Sequence, residues 1–273
     1  MISSRQKYQM YNPKKRFGQN FLVDDNISSK IVRSLDAGRD DVILEIGPGR
    51  GALTKLLVKD YPEFVAVEID ESAVTELKEK FGGLNVIRGD VLEFDFSSVA
   101  GGNRKIKVIG NIPYNITSEI LFRLLDNINC IDSAVLMVQK EVAERLVASP
   151  ETKQYGILSV QFQAFASIKH LFTVPRTAFF PKPDVTSSVI RMNFSKELNR
   201  IDNAVLFRSL VRNAFSKRRK TLKNSLKDFF EANNIINTDF NLDFSRRAET
   251  LTVEEFVLLS NEINSYLRGP MVI

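Results

Sequence analysis

The sequence predicts a doubly wound α/β sheet followed by a small all-helical domain, and three observations carry that prediction. Short β-branched runs alternate with amphipathic stretches from residue 42 to 139. Further extended stretches follow as far as residue 194, and beyond residue 198 strand signals give way to helical periodicity. The domain boundary is expected at 198/199, giving domains of residues 1–198 and 199–273.

The runs "VILEI" (42–46), "FVAVEI" (64–69), "NVIR" (85–88), "IKVIG" (106–110) and "SAVLMVQ" (133–139) are bounded by Gly, Asp, Asn or Pro. They read as strands of a mostly parallel sheet, buried on both faces. Between them "GALTKLLVKD" (51–60), "ESAVTELKEKF" (71–81) and "ITSEILFRLLDN" (116–127) carry apolar residues three and four apart, as crossover helices do. Residues 157–170 and "SSVIRMNF" (187–194) supply a sixth and a seventh strand, the last preceded by the proline-rich "FFPKPD" (179–184). Residues 201–234 read as helical. In "LTVEEFVLLSNEI" Thr252 and Glu255 have capping-box spacing, with Leu251 and Phe256 placed as a hydrophobic staple.

The chain is long enough, at 273 residues, to bury a large core. Its one cysteine, Cys130, offers neither an internal disulfide nor a zinc spacing, which points to a reducing, cytoplasmic compartment. No stretch of about 18 apolar residues and no signal peptide is evident, so no membrane association is expected. The lone histidine, His170, has no acidic or cysteine neighbours that would make a metal site, and no metal is expected. The formal charge of +5 says little, but its distribution says more. Residues 1–23 hold Arg5, Lys7, Lys14, Lys15 and Arg16 without an acid, and "SKRRKTLK" (216–223) holds Lys217, Arg218, Arg219, Lys220 and Lys223 without one. Either run alone also fits a solvated helix face. Two such runs favour a polyanion, with RNA or DNA the first candidate.

The chemistry-bearing residues fall at strand ends. "VILEI" runs into "GPGRG", whose Gly47, Gly49 and Gly51 permit a tight strand-to-helix turn and close approach of a ligand. The spacing is G-x-G-x-G, not the G-x-G-x-x-G of a dinucleotide fold, which argues against NAD. Glu68 ends the second strand 21 residues after Gly47, where a carboxylate accepts from ribose hydroxyls, and Asp90 after the third can accept from an adenine amine. Glu45, just before the glycines, is placed either to orient the turn or to meet a ligand amine. The fourth strand ends in Asn111-Ile112-Pro113-Tyr114. An exocyclic adenine amine is a poor nucleophile, and an enzyme alkylating it needs acceptors for the amine hydrogens and a flat surface for the base. The Asn111 amide and the Ile112 carbonyl, fixed by Pro113, supply the first, and Tyr114 supplies the second.

At these residues the sequence resembles the S-adenosylmethionine-dependent amino-methyltransferases, whose fourth strand ends in Asn or Asp, one residue, Pro, then an aromatic. Within them it resembles the small-subunit (16S) ribosomal RNA adenine N6,N6-dimethyltransferases, the kasugamycin-resistance family. The match runs through "KKRFGQNFL", "LEIGPGRGALT", "VAVEID", "GDVL", "GNIPYNI", "LMVQKEVAERL", "YGILSV", "FFPKPDVTSS" and "AFSKRRKTLKNSL". The resemblance implies a Rossmann-like methyltransferase sheet and S-adenosyl-L-methionine as cofactor. It implies that Asn20 and Leu22, with Gln19 beside them, close over the cofactor, and that Gly47, Glu68, Asp90 and Asn111 bind it. Asn111, Pro113 and Tyr114 then handle the target base, with Phe179 as a second aromatic, although Phe180 beside it leaves that register open. The implied reaction is dimethylation of two adjacent adenosines in the 3′-terminal hairpin loop of small-subunit rRNA, within the immature 30S particle and late in its assembly. The basic runs then serve as an RNA platform, and a monomer is expected. Two other functions fit the same residues: an assembly factor acting mainly by binding RNA, and a large-subunit rRNA methyltransferase of the macrolide-resistance type.

Overall fold

Strands of nearly unbroken aliphatic sequence form the buried centre of a seven-stranded sheet whose edge strands are more exposed, and the computed structural model describes residues 20–101, 104–194, 200–236 and 240–269. In chain order the elements are β1 (Phe21–Leu22), α1 (Asp25–Arg33), β2 (Val42–Ile46), α2 (Thr54–Asp60), β3 (Phe64–Glu68), α3 (Glu71–Lys80), β4 (Asn85–Arg88) and α4 (Ser97–Ala100). They continue with β5 (Ile106–Asn111), α5 (Thr117–Asp126), β6 (Ile131–Gln139), α6 (Lys140–Leu146), α7 (Ile157–Gln163), β7 (Ser167–Val174), β8 (Phe179–Phe180) and β9 (Ser187–Asn193).

The sheet order is β4-β3-β2-β5-β6-β9-β7, with β1 and β8 forming a separate two-stranded ribbon. From β4 to β6 every pairing is parallel, and β9 runs antiparallel to β6. All five residues of β2 and of β3 are buried, as strands covered on both faces must be. Helix starts follow from local chemistry. Asp24 accepts from the N–H groups of Asn26 and Ile27 at 2.9 and 3.0 Å to begin α1, and Asp70 accepts from Ser72 N–H at 3.1 Å to begin α3. Leu57, Ile43, Ala66, Ile109 and Val135 join one core cluster. The chain winds from β2 to β4 in one direction and from β5 to β6 in the other. The topological switch point therefore lies between β2 and β5, where an open α/β sheet binds its ligand.

The chain divides into two units, residues 1–143 with 169–194 and residues 144–168 with 195–273. The single division expected at 198/199 thus becomes two units of interleaved segments, because residues 144–168 join the helical one. That reassignment goes with a second correction. Residues 157–163, expected as a strand, form α7, and the strand begins only at Ser167. Leu158, Val160 and Phe162 alternate with Ser159, Gln161 and Gln163, which imitates a strand with one wet face. The polar members instead bond carbonyls of their own unit: Ser159 Oγ to Arg145 O at 2.6 Å, Gln161 Nε2 to Arg208 O at 3.1 Å, and Gln163 Nε2 to Leu146 O and Ala148 O at 2.9 Å.

The helical unit continues with α8 (Ala204–Ser216), α9 (Leu222–Ser225), α10 (Lys227–Ala232) and α11 (Val253–Arg268). Helix α8 packs against α7, α9 and α11. The capping box forms as expected: Glu255 N–H donates to Thr252 Oγ1 at 3.1 Å and Thr252 N–H to Glu255 Oε2 at 2.8 Å. Leu251 and Phe256 of the staple are both 0% exposed.

Gly110 marks the closest approach across the switch point. It lies opposite Ile46, and a Cβ there would sit 2.7 Å from the Ile46 carbonyl oxygen, a backbone atom that cannot move aside. Gly110→Ala is expected to cost about 1–3 kcal/mol by overpacking. Urea titration at fixed pH measures this, and an unchanged midpoint would contradict the close approach.

Candidate active site at the carboxyl edge of the sheet

The carboxyl ends of β2, β3, β4 and β5 surround one cavity of about 290 Å³. Parallel strands bring there, side by side, residues far apart in sequence: Gly47, Glu68, Asp90 and Asn111 all line it, with Asn20, Leu22, Pro113 and Tyr114. Its apolar wall comes from Ile46, Val67, Ile69, Val91, Leu92 and Ile112.

Gly47 and Gly49 have φ of +63° and +54°, a left-handed backbone that disfavours any side chain. A Cβ on Gly47 would meet no atom within 4 Å, so the backbone lies bare beside open space. Glu68 is 5% exposed, and its two oxygens accept from Gly49 N–H at 3.0 Å and Asp70 N–H at 2.9 Å. Burial raises its pKa, and those two N–H groups act against the rise. Asp90 Oδ1 accepts from Leu92 N–H at 2.9 Å, which fixes the half-buried carboxylate at the rim.

Glu45 is 2% exposed and lines the same cavity, and Thr54 Oγ1 donates to its Oε2 at 2.7 Å. Burial pushes its carboxyl up to about 8, against the Thr54 hydrogen bond and with help from the nearby Glu68. No cation lies within ion-pair distance of it among the described residues.

At the end of β5, Ile112 N–H bonds Met137 O at 3.0 Å, and Thr117 Oγ1 donates to Pro113 O at 2.9 Å. Asn111 Nδ2 donates to the Asn20 carbonyl at 2.9 Å. A carbonyl can only accept, so this contact fixes which end of the amide is which and leaves Oδ1 as an acceptor. The Tyr114 hydroxyl meets Ser187 Oγ at 2.6 Å, and burial raises the phenol pKa. Sequence reasoning missed Ser187, whose partner is 73 residues away, and it missed Thr54 as the partner of Glu45.

Phe179 does not join this set. It is 2% exposed, packs in the core cluster and pairs with Leu22 across the β1/β8 ribbon. Phe180 is the half-buried member of the pair, and it lies opposite Phe21, which lines the cavity. Both β1 residues line the cavity, and neither Phe179 nor Phe180, their partners in β8, is among its lining residues. The resemblance implied Phe179 as a second aromatic beside the base, and here it is buried in the core cluster opposite Leu22.

The second basic run lies in the helical unit, at the turn between α8 and α9. Lys217 pairs with Asp228 at 2.9 Å. Arg218 bonds Glu249 at 3.2 Å and the carbonyls of Lys153 and Tyr155 at 2.6 and 3.4 Å, which makes it a brace within the unit. Arg219, Lys220 and Lys223 are exposed, and their side chains have no hydrogen-bond or ion-pair partner among the described residues. The first run, Arg5 to Arg16, and Gln19 lie outside the described residues. No cluster of potential metal ligands occurs among the described residues, and no described helix is long and apolar enough to cross a membrane.

A glycine turn, strand-end acids and an Asn-x-Pro-Tyr corner at the switch point of this sheet define an S-adenosylmethionine-dependent methyltransferase with a Rossmann-like fold. The chain belongs to the ribosomal RNA adenine dimethylase family, whose family model matches residues 10–265. It is 46% identical over 250 residues to "Ribosomal RNA small subunit methyltransferase A" of Chlorobaculum parvum, covering 92% of this chain and 89% of that protein. It is 44% identical over 256 residues to the protein of the same name from Chlorobaculum tepidum, covering 94% and 91%. Among solved structures it resembles a dimethyladenosine transferase from Plasmodium falciparum, with a TM-score of 0.74, 26% identity and coverage of 88% and 96%. The 23S rRNA methyltransferase ErmE shares the fold, with a TM-score of 0.66 at 23% identity and coverage of 90% and 100%.

Glu45 gives a stability test whose sign can be worked out. Its folded pKa lies above the ordinary 4.5, so between pH 4.5 and about 8 the folded chain holds a proton that the unfolded chain has lost. Stability from this group is therefore greatest below pH 4.5 and falls as pH rises through the window. Glu45→Gln removes that slope. The variant is expected to match the parent near pH 5 and to exceed it by about 2–4 kcal/mol at pH 8. Urea titration at the two pH values measures the gap, and an equal gap at both would contradict it.

Proposed function

We propose that this protein dimethylates the N6 amine of two adjacent adenosines in the 3′-terminal hairpin loop of small-subunit rRNA, acting as a cytoplasmic monomer on the immature 30S particle late in its assembly. The observation that carries the reading is the Asn111–Tyr114 corner, whose acceptors and ring stand on the same cavity as Gly47, Glu68 and Asp90. The likeness to small-subunit methyltransferases at 44–46% identity supports that target over large-subunit rRNA.

The cavity fits the cofactor. Glycine backbone without a Cβ leaves room for the methionine half near Gly47, and Glu45 sets a carboxyl near its ammonium. Glu68, already oriented by two N–H groups, has lone pairs left for ribose hydroxyls. Asp90 accepts from the adenine amine between apolar walls that include Val91 and Leu92, while Asn20 and Leu22 close the front. When bound, S-adenosylmethionine supplies an electrophilic methyl group on a sulfonium.

The chain's own part is positional. Asn111 Oδ1 and the Ile112 carbonyl accept the two N6 hydrogens, drawing the nitrogen toward a tetrahedral, electron-rich form. Pro113 limits the backbone freedom of that corner, and Tyr114 stacks on the ring. The base must leave its stack to enter, at a cost that is lowest in a single-stranded loop. Arg219, Lys220 and Lys223 contact RNA phosphates, while Lys217 and Arg218 serve chiefly to hold the turn that presents them.

The test is incubation with labelled S-adenosylmethionine and small subunits lacking the modification, followed by nucleoside analysis. Formation of N6,N6-dimethyladenosine is expected, and its absence with cofactor binding intact would contradict the reading. Asn111→Ala should lower turnover about 100- to 1,000-fold with RNA affinity unchanged. Replacing Arg219, Lys220 and Lys223 together by Gln should weaken RNA binding and lower its logarithmic salt slope by about 2. Arg218→Ala should instead destabilise the fold by about 1–3 kcal/mol through its lost hydrogen bonds. An unchanged salt slope in the triple variant, or an unchanged unfolding midpoint for Arg218→Ala, would contradict this division.

A further inference from the structure

Two side chains of the reacting corner are held by residues outside it, one just ahead of the β1/β8 ribbon and one at the start of β9. Asn111 Nδ2 is held by the Asn20 carbonyl, and the Tyr114 hydroxyl by Ser187 Oγ. Asn20 leads directly into β1, which pairs with β8 through Phe21–Phe180 and Leu22–Phe179. Val23 N–H extends that pairing to Ala178 O at 2.8 Å. Residues 181–186 then carry the chain from β8 to Ser187.

Ser187 has little freedom of its own. It is 0% exposed and sits opposite Gln139 in the β6–β9 register, and Lys140 N–H bonds the neighbouring Thr186 carbonyl at 2.9 Å. Nothing in that strand pairing calls for a hydroxyl at this position, and Tyr114 is its hydrogen-bond partner among the described residues. A tyrosine fixed only at its backbone can turn about χ1 and χ2. The hydroxyl oxygen lies on the χ2 axis, so a bond to it fixes χ1 directly, and because a phenol O–H prefers to lie in the plane of its ring, the same bond favours the ring plane that contains Ser187 Oγ. Burial keeps that phenol protonated, so the contact persists across the working pH range.

From this geometry we infer that Ser187 is a positioning residue for methyl transfer, which fixes through the Tyr114 hydroxyl the plane on which the target adenine lies. The inference rests on the proposed role of Tyr114 in stacking the base, and it addresses why one corner can act on the same nitrogen twice. An unmodified adenine offers two N–H groups to the acceptors of the corner. The first transfer would form an N–C bond as the sulfonium S–C bond breaks and release one N6 proton, so one N–H remains, and hydrogen bonding orients the base less and the ring plane orients it more. Loss of the Ser187 contact should therefore weigh more on the second methyl transfer than on the first.

The experiment compares the parent, Ser187→Ala, Tyr114→Phe and the double variant in single turnover on unmodified small subunits, with nucleosides quantified over time. Cofactor affinity is measured by calorimetry, which also reports whether each variant is folded. Tyr114→Phe keeps the ring in a half-buried position and so tests the same contact if Ser187→Ala fails to fold. Each single variant is expected to slow the second transfer about tenfold and to accumulate N6-methyladenosine, with cofactor affinity unchanged. The double variant should be no slower than either single one. Losses that multiply to about a hundredfold in the double variant, parent-like rates in Tyr114→Phe, or equal slowing of both transfers would overturn the inference. A parent protein that makes no methylated adenosine would overturn the functional reading instead, which keeps the two failures distinct.

Discussion

The hydrogen bond from Asn111 Nδ2 to the Asn20 carbonyl is the contact on which the site depends. It ties the segment ahead of β1 to the end of β5, across the mouth of the cavity built by the glycine turn. It also decides the chemistry available at Asn111. An amide is ambivalent, with a donor at one end and an acceptor at the other, and only a partner of fixed polarity removes the ambiguity. A backbone carbonyl is such a partner. The amine binding proposed for this corner presupposes an acceptor oxygen in a known place.

The sheet supplies that place at a cost to stability. Parallel strands with both faces covered bring their carboxyl ends to one edge, so residues 20, 45, 68, 90 and 111 meet on one cavity despite their separation in sequence. Two carboxyls, Glu45 and Glu68, are buried there and shifted upward, a cost that a core built only for stability would avoid. Glu68 offsets part of it by accepting two backbone N–H groups, which also orient it before any ligand arrives. Left-handed glycines at 47 and 49 serve the same end, because a side chain at either would strain the turn.

Much of this was legible in the sequence because it is local. Apolar runs mark β2 to β6 within a residue or two, and the strand-end residues Gly47, Glu68, Asp90 and Asn111 follow from where those runs stop. What was not legible depends on partners far along the chain. Leu158, Val160 and Phe162 alternate as a strand would, and only the carbonyls awaiting Ser159, Gln161 and Gln163 make them a helix. Phe179 looked available until Leu22 paired with it. Arg218 belongs to a run of five cations by sequence, yet Glu249 and two carbonyls engage it in the fold. Ser187 carries no sequence signal that connects it with Tyr114.

In the proposed reaction Asn111 acts through an amide whose donor end is held by Asn20. Asn111→Asp tests it most directly, because a carboxylate can still accept from an amine but cannot donate to a carbonyl. Single-turnover methylation of unmodified small subunits, measured beside cofactor affinity, separates the two roles. The aspartate variant is expected to bind cofactor yet to transfer methyl about a hundredfold more slowly. Transfer at the parent's rate would contradict it.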